Sequence, residues 1–164
     1  MKTIITLFSL FIMTTAGRAQ DFNGWEFLYW KSGKDSVEKV LVENKSKLSE
    51  PNALDAQFKF QGMNTWLFYD AQNKLIKVLQ RNTFSVNQPK EAEDFFVTFK
   101  ALLIKKYGKP SHYKRDKKDS LVTMTWKLKF TAIALEYDYR YKVIDEFGAG
   151  SYWVTVEFEP AKED

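Results

Sequence analysis

The sequence predicts an α+β fold. Two helix-plus-three-strand units, ordered α-βββ-α-βββ, build an antiparallel sheet with both helices packed on one face. Three observations predict it. Apolar and polar residues alternate with period two through the last third of the chain, the mark of an antiparallel sheet with one packed and one wet face. Two amphipathic stretches are the only candidates to cover the packed face. Aromatic residues make up 16% of the chain and cysteine is absent, so stability must come from burial rather than from disulfides.

The elements follow in order. Residues 1–19 read as a secretory signal: Lys2 gives the positive start, Ile4 to Met13 the apolar stretch, and Gly17 and Ala19 the small residues before a cut between Ala19 and Gln20. A membrane-spanning helix needs about 20 apolar residues, so this stretch is too short to be one. The mature chain is then residues 20–164, expected to be one domain in the periplasm or outside the cell. Trp25, Phe27 and Tyr29 alternate with Glu26, Leu28 and Trp30, which suggests a short strand or an extended lead-in. Asp35 followed by Glu38 resembles a capping box, and Val37, Val40, Leu41 and Leu48 predict helix one over 36–48, ended by Pro51 and Asn52.

A three-stranded meander follows. Ala56, Phe58 and Phe60 alternate, Gly62 turns the chain, Thr65 to Tyr69 forms a second strand, and Asp70 to Lys74 is a hairpin loop leading into Leu75–Phe84. Helix two is predicted over 90–107. Pro89 opens it, Glu91, Glu93 and Asp94 load its start, and Lys105 and Lys106 load its end. Gly108 and Pro110 stop it. A second meander takes Val122 to Phe130, Ile133 to Tyr141, and Tyr152 to Phe158, with Gly148 and Gly150 in a loop. The two halves form pseudo-repeats, about 33–86 and 88–160, within one domain.

Lys105-Lys106-Tyr107-Gly108-Lys109-Pro110 between an amphipathic helix and a Trp-bearing strand, and Leu67-Phe68-Tyr69-Asp70 before Lys74-Leu75, carry a resemblance. The chain resembles a broad group of uncharacterised bacterial exported proteins that combine a helix with a meander. At the fold level it is similar to the BamE/SmpA outer-membrane assembly lipoproteins and to the secreted β-lactamase inhibitor protein, which carries such a unit twice. The assembly lipoproteins have a lipid-bearing Cys that this chain lacks.

Few residues offer chemistry. With no Cys and a single histidine, His112, neither an activated nucleophile nor a zinc site is implied, and no glycine cluster could cradle a phosphate. No cofactor is expected. Glu136 and Asp138 share one strand face, with Glu157 and Glu159 beside them; a glycosidase could use such carboxylates. Lys127, Lys129 and Arg140 on the same polar faces make charge pairing the simpler reading. The whole-chain charge of +4 falls to about +2 without Lys2 and Arg18, too little and too dispersed for nucleic acid.

Two features suggest recognition. Trp153 falls out of phase with Tyr152 and Val154, and Trp25 and Trp30 are candidate surface aromatics. Lys114, Arg115, Lys117 and Lys118 form a basic run that could contact a polyanion. The favoured reading is a secreted or periplasmic binding module without catalytic activity, recognising a protein or envelope polymer through its sheet. A secreted hydrolase inhibitor is the alternative, and a hydrolase using the strand carboxylates a more distant one.

Overall fold

The computed structural model describes residues 22–44, 49–52, 57–116, 120–143 and 150–162. The predicted signal segment lies outside them, as do Lys117 and Lys118. The described chain is mostly β. A small hairpin, β1 (Gly24–Trp25) and β2 (Leu28–Tyr29), precedes helix α1 (Lys34–Glu43). Strands β3 (Ser49–Asn52), β4 (Gln57–Phe60), β5 (Met63–Tyr69) and β6 (Leu75–Ser85) follow, then helix α2 (Pro89–Tyr107). The chain closes with β7 (His112–Asp116), β8 (Leu121–Lys127), β9 (Thr131–Val143) and β10 (Gly150–Pro160).

Eight strands form one antiparallel sheet in the order β3-β4-β5-β6-β10-β9-β8-β7. Each half of the chain is thus a four-stranded meander, and the halves join through their last strands. The seam is long: β10 pairs with β6 from Ser151 opposite Ser85 to Phe158 opposite Val78. Its turns show why the sequence bends where it does. Gln61 and Gly62, both at positive φ, make the two-residue loop between β4 and β5, the twist that suits a tight hairpin. At the next turn, Asp70 Oδ1 accepts hydrogen bonds from the backbone N–H groups of Gln72 (2.9 Å) and Lys74 (2.8 Å), leaving Asn73 at φ 57°.

The predicted α-βββ-α-βββ arrangement with both helices on one face is not what forms. Four strands follow each helix, because Ser49–Asn52 and His112–Asp116 pair as edge strands where a helix end and a loop were expected. Helix α2 lies along the sheet, against β6, β9 and β10. Ala92, Phe96, Phe99 and Leu103 form its buried stripe, and Phe96 stacks on Tyr137 at 5.0 Å. Pro89 at its start, Lys105 and Lys106 in its last turn, and Gly108 at φ 82° beyond it set its limits as the sequence indicates.

Helix α1 plays a smaller part. It starts at Lys34 rather than at residue 36, Gly33 takes the N-cap position with no side-chain cap, and only Val37 is buried. A bond from the Lys34 N–H to the Asn73 carbonyl (3.0 Å) sets its start beside the β5–β6 turn. The hairpin β1–β2 does the covering expected of this helix. It carries Trp25, Leu28 and Trp30 into the core, and Trp25 meets the rings of Phe60 (5.1 Å), Phe158 (6.2 Å) and Phe58 (6.4 Å). The physical reason is area. Two tryptophans exclude more water than the single valine that α1 buries, and each large apolar side chain buried contributes roughly 1.5–3 kcal/mol.

Candidate functional site

The pleat divides the sheet residues into two sets. Phe58, Phe60, Met63, Leu67, Val78, Val122, Met124, Trp126, Ile133, Leu135, Val154, Val156 and Phe158 belong to the core beneath α2 and the hairpin. Their alternates face the other way. Trp66, Phe68, Leu79 and Trp153 are large apolar residues of this second set, and none of them joins the core cluster. This open face is the candidate site.

Its centre spans the seam between the two meanders. Arg81 on β6 lies opposite Thr155 on β10 and donates Nε–H to its hydroxyl at 3.2 Å. The same guanidinium sits over the ring of Trp153, 4.6 Å from its centroid, at a distance where the ring face attracts the cation. Trp153 Nε1 donates to Ser151 Oγ at 2.9 Å, so the indole is held from both sides. Beside it the β9–β10 register shifts between Ser151 and Trp153, an irregularity of the kind that re-aims a side chain.

Acids and a second base continue the row. Lys77 Nζ meets Glu157 at 2.7 Å and Glu159 at 3.3 Å. Burial alone would lower the Lys77 pKa, but these two carboxylates more than reverse it, so the ammonium is held above its ordinary value. Glu136 lies opposite Thr155 on one side and Thr123 on the other. Burial first, then the like charges of Glu157 and Asp138, push its carboxyl up, while Arg81 and Lys77 pull it partly back. Chemically, the arrangement offers hydrogen bonding, paired charge and an aromatic face. Glu157 and Glu159 are both engaged by Lys77.

The structure separates the residues that the sequence grouped as recognition candidates. Trp153 is on the open face. Trp25 and Trp30 are 1% and 5% exposed and serve the core, so they present no surface. Lys114 and Arg115 are exposed on the edge strand β7, opposite Thr123 and Val122, hence on opposite faces of the sheet. Lys114 is paired with Asp116 at 3.4 Å. His112 is also on β7, exposed and opposite Thr125. Among the described residues no three His, Cys, Asp or Glu side chains are grouped to hold a metal ion.

Arg81, Lys77, Trp66 and Phe68 were not singled out from sequence. The signal was there: in β5 and β6 they alternate with Met63, Thr65, Leu67, Val78 and Gln80, all buried. Which polar-face residues meet across the seam depends on β6 pairing with β10, and no local pattern encodes that.

Fold and site together define a β-rich protein whose wide sheet is, among the described residues, covered on one side by a helix and a hairpin and open on the other. No family model, no curated protein and no solved structure matches the chain. Among the described residues no helix is long and apolar enough to cross a membrane.

Proposed function

We propose that the protein is a secreted or periplasmic binding module that recognises a protein or an envelope polymer through the open face of its sheet, without catalysis. One observation carries this reading: Arg81 and Trp153, from opposite halves of the chain, form a cation–aromatic pair outside the core and at its seam. Aromatic and arginine side chains are the groups most often responsible for binding energy at interfaces. Trp66, Phe68 and Leu79 extend the patch toward β5. The residue inventory supports the non-catalytic part, since the chain has no Cys and its one His is an exposed edge residue. Export rests on the signal-like first nineteen residues.

The test is retention on the immobilised mature chain of proteins and polymers from a bacterial envelope extract. Wild type should retain a discrete species. Trp153→Ala and Arg81→Ala should each lose it, while Val97→Ser, on the exposed side of α2, should keep it. Equal retention by all four proteins would overturn the reading.

A further inference from the structure

A separate feature lies where α2 stops. A depression of about 300 Å3 opens there, with Tyr107 and Trp126 as its aromatic lining and Lys109, Lys127, Lys129 and Ser111 as its polar lining. Its volume is at the small end of ligand sites, which run from roughly 300 to 1,000 Å3.

Two turns build it, and hydrogen bonds lock them together. Trp126 Nε1 donates to the Gly108 carbonyl at 2.8 Å, and the Lys127 N–H donates to Ser111 Oγ at 3.0 Å. The Ser111 N–H donates to the Thr125 carbonyl (2.7 Å), and the Leu128 N–H to the Thr131 carbonyl (3.0 Å). The backbone bearing all three lysines is therefore set in advance, which lowers the ordering cost of binding.

Lys109, Lys127 and Lys129 have no carboxylate partner among the described residues; the Lys129 ammonium lies 4.8 Å from the centroid of the adjacent Phe130 ring. Nearby Lys106 contrasts with them, being held by Glu26 at 2.6 Å. The negative end of α2 is already matched by Lys105 and Lys106 in its last turn, and the Ile104 carbonyl is occupied by the Gly108 N–H. Lys109, Lys127 and Lys129 all line this one recess, and an anion bound among like charges relieves their mutual repulsion.

We propose that this recess binds the phosphate monoester of a small molecule or of a lipid headgroup. Lysine suits phosphate, as a compact charge with three rotatable donors. The Ser111 hydroxyl adds one further polar contact. The inference is independent of the open-face reading, because it uses none of the same residues.

Titration of the mature, isotope-labelled chain with pyrophosphate, followed by amide resonances, tests it. The expected result is saturable shifts confined to Gly108–Ser111 and Lys127–Phe130, with a Kd of about 0.1–5 mM. The exposed triple variant K109Q/K127Q/K129Q should weaken binding at least about tenfold, whereas K34Q/K39Q/K74Q should stay within about twofold of wild type. Trp153→Ala should bind pyrophosphate as wild type does. Co-sedimentation with phosphatidic acid vesicles, lost in the first triple variant, would assign the site to a headgroup; pyrophosphate binding alone would assign it to a soluble ester. The proposal is overturned if neither probe binds, if shifts scatter over all surface lysines, or if both triple variants lose binding equally.

Discussion

Trp30 Nε1 donates a hydrogen bond to Thr131 Oγ1 at 2.9 Å, joining two buried residues 101 positions apart in the chain. The same hydroxyl donates onward to the Gly24 carbonyl at 3.2 Å. One threonine, at the first residue of β9, thereby satisfies an indole N–H of the hairpin and a backbone carbonyl within it. Shape alone would let the hairpin slide on the greasy face; these two bonds fix where it docks.

Thr131→Val keeps the volume and removes both bonds. A buried donor and a buried acceptor are then stranded, at a cost of about 1–3 kcal/mol each when no water reaches them. Urea denaturation should show a loss of about 2–4 kcal/mol with an unchanged m value. Thr131→Ser retains the hydroxyl and should lose less than half as much. A larger loss for Thr131→Ser than for Thr131→Val would show that packing of the methyl group, not the hydroxyl, holds the hairpin.

Gly24 tests the same docking from the other side. A Cβ at this position would run into the carbonyl oxygen of Leu28 and approach the Phe22 ring at 2.8 Å. Backbone is the obstacle, so a side-chain rotation cannot clear it. Gly24→Ala should therefore cost about 1–3 kcal/mol, the usual range for overpacking, although alanine has the smaller conformational entropy to lose. Thermal unfolding should place its midpoint at least about 3 °C below wild type.

These two variants also show what the sequence could and could not say. Helix α2 was legible from Pro89, its charged ends and Gly108 because every signal for it is local. The meander strands β8 to β10 were legible for the same reason: alternation of Val122, Met124 and Trp126 needs no partner to be seen. Trp25 and Trp30 were misplaced. Alternation through 25–30 looks like one strand, whereas Glu26 at φ 53° turns the chain and puts Trp25, Leu28 and Trp30 on the same buried side. Strand β7 was hidden because His112 to Arg115 are polar and exposed on both faces, the usual composition of a protected sheet edge. The Arg81–Trp153 pair was illegible because it depends on register between strands from different halves.

Glu136 gives a pH-dependent prediction. Its carboxyl is held above its ordinary value in the folded chain, by burial and by Glu157 and Asp138, so the native state binds this proton more tightly than the unfolded state. Stability then falls as pH rises from the unfolded pKa through the raised folded one. Below that window the proton is on in both states and the penalty is absent. Glu136→Gln removes the penalty and should raise the unfolding midpoint at pH 7 by about 1–2 °C, with the gain gone near pH 3. A gain of the same size at both pH values would mean that charge is not its cause.

Tyr137 should contribute to the alkaline limit of the fold. Its hydroxyl is pushed up to about 12 by burial first, then by the negative charge of Glu93 and by Tyr152 and Tyr139. The unfolded chain releases this proton near the ordinary phenol value, about 10, so above that pH the unfolded state is favoured. The native state thus loses stability progressively between the two values and regains it below pH 10. Tyr137→Phe has no proton to lose and keeps the ring that stacks on Phe96 at 5.0 Å. Its alkaline unfolding midpoint should lie about 0.5–1 pH unit above that of wild type, while its midpoint at pH 7 changes little, since Tyr137 is not among the hydrogen-bonded groups that pin the hairpin. Phenolate absorbance followed alongside circular dichroism checks this: in wild type, part of the phenolate signal should appear only together with the loss of structure. If all of it developed while the sheet remained intact, the buried environment of Tyr137 would not be what limits the fold at high pH.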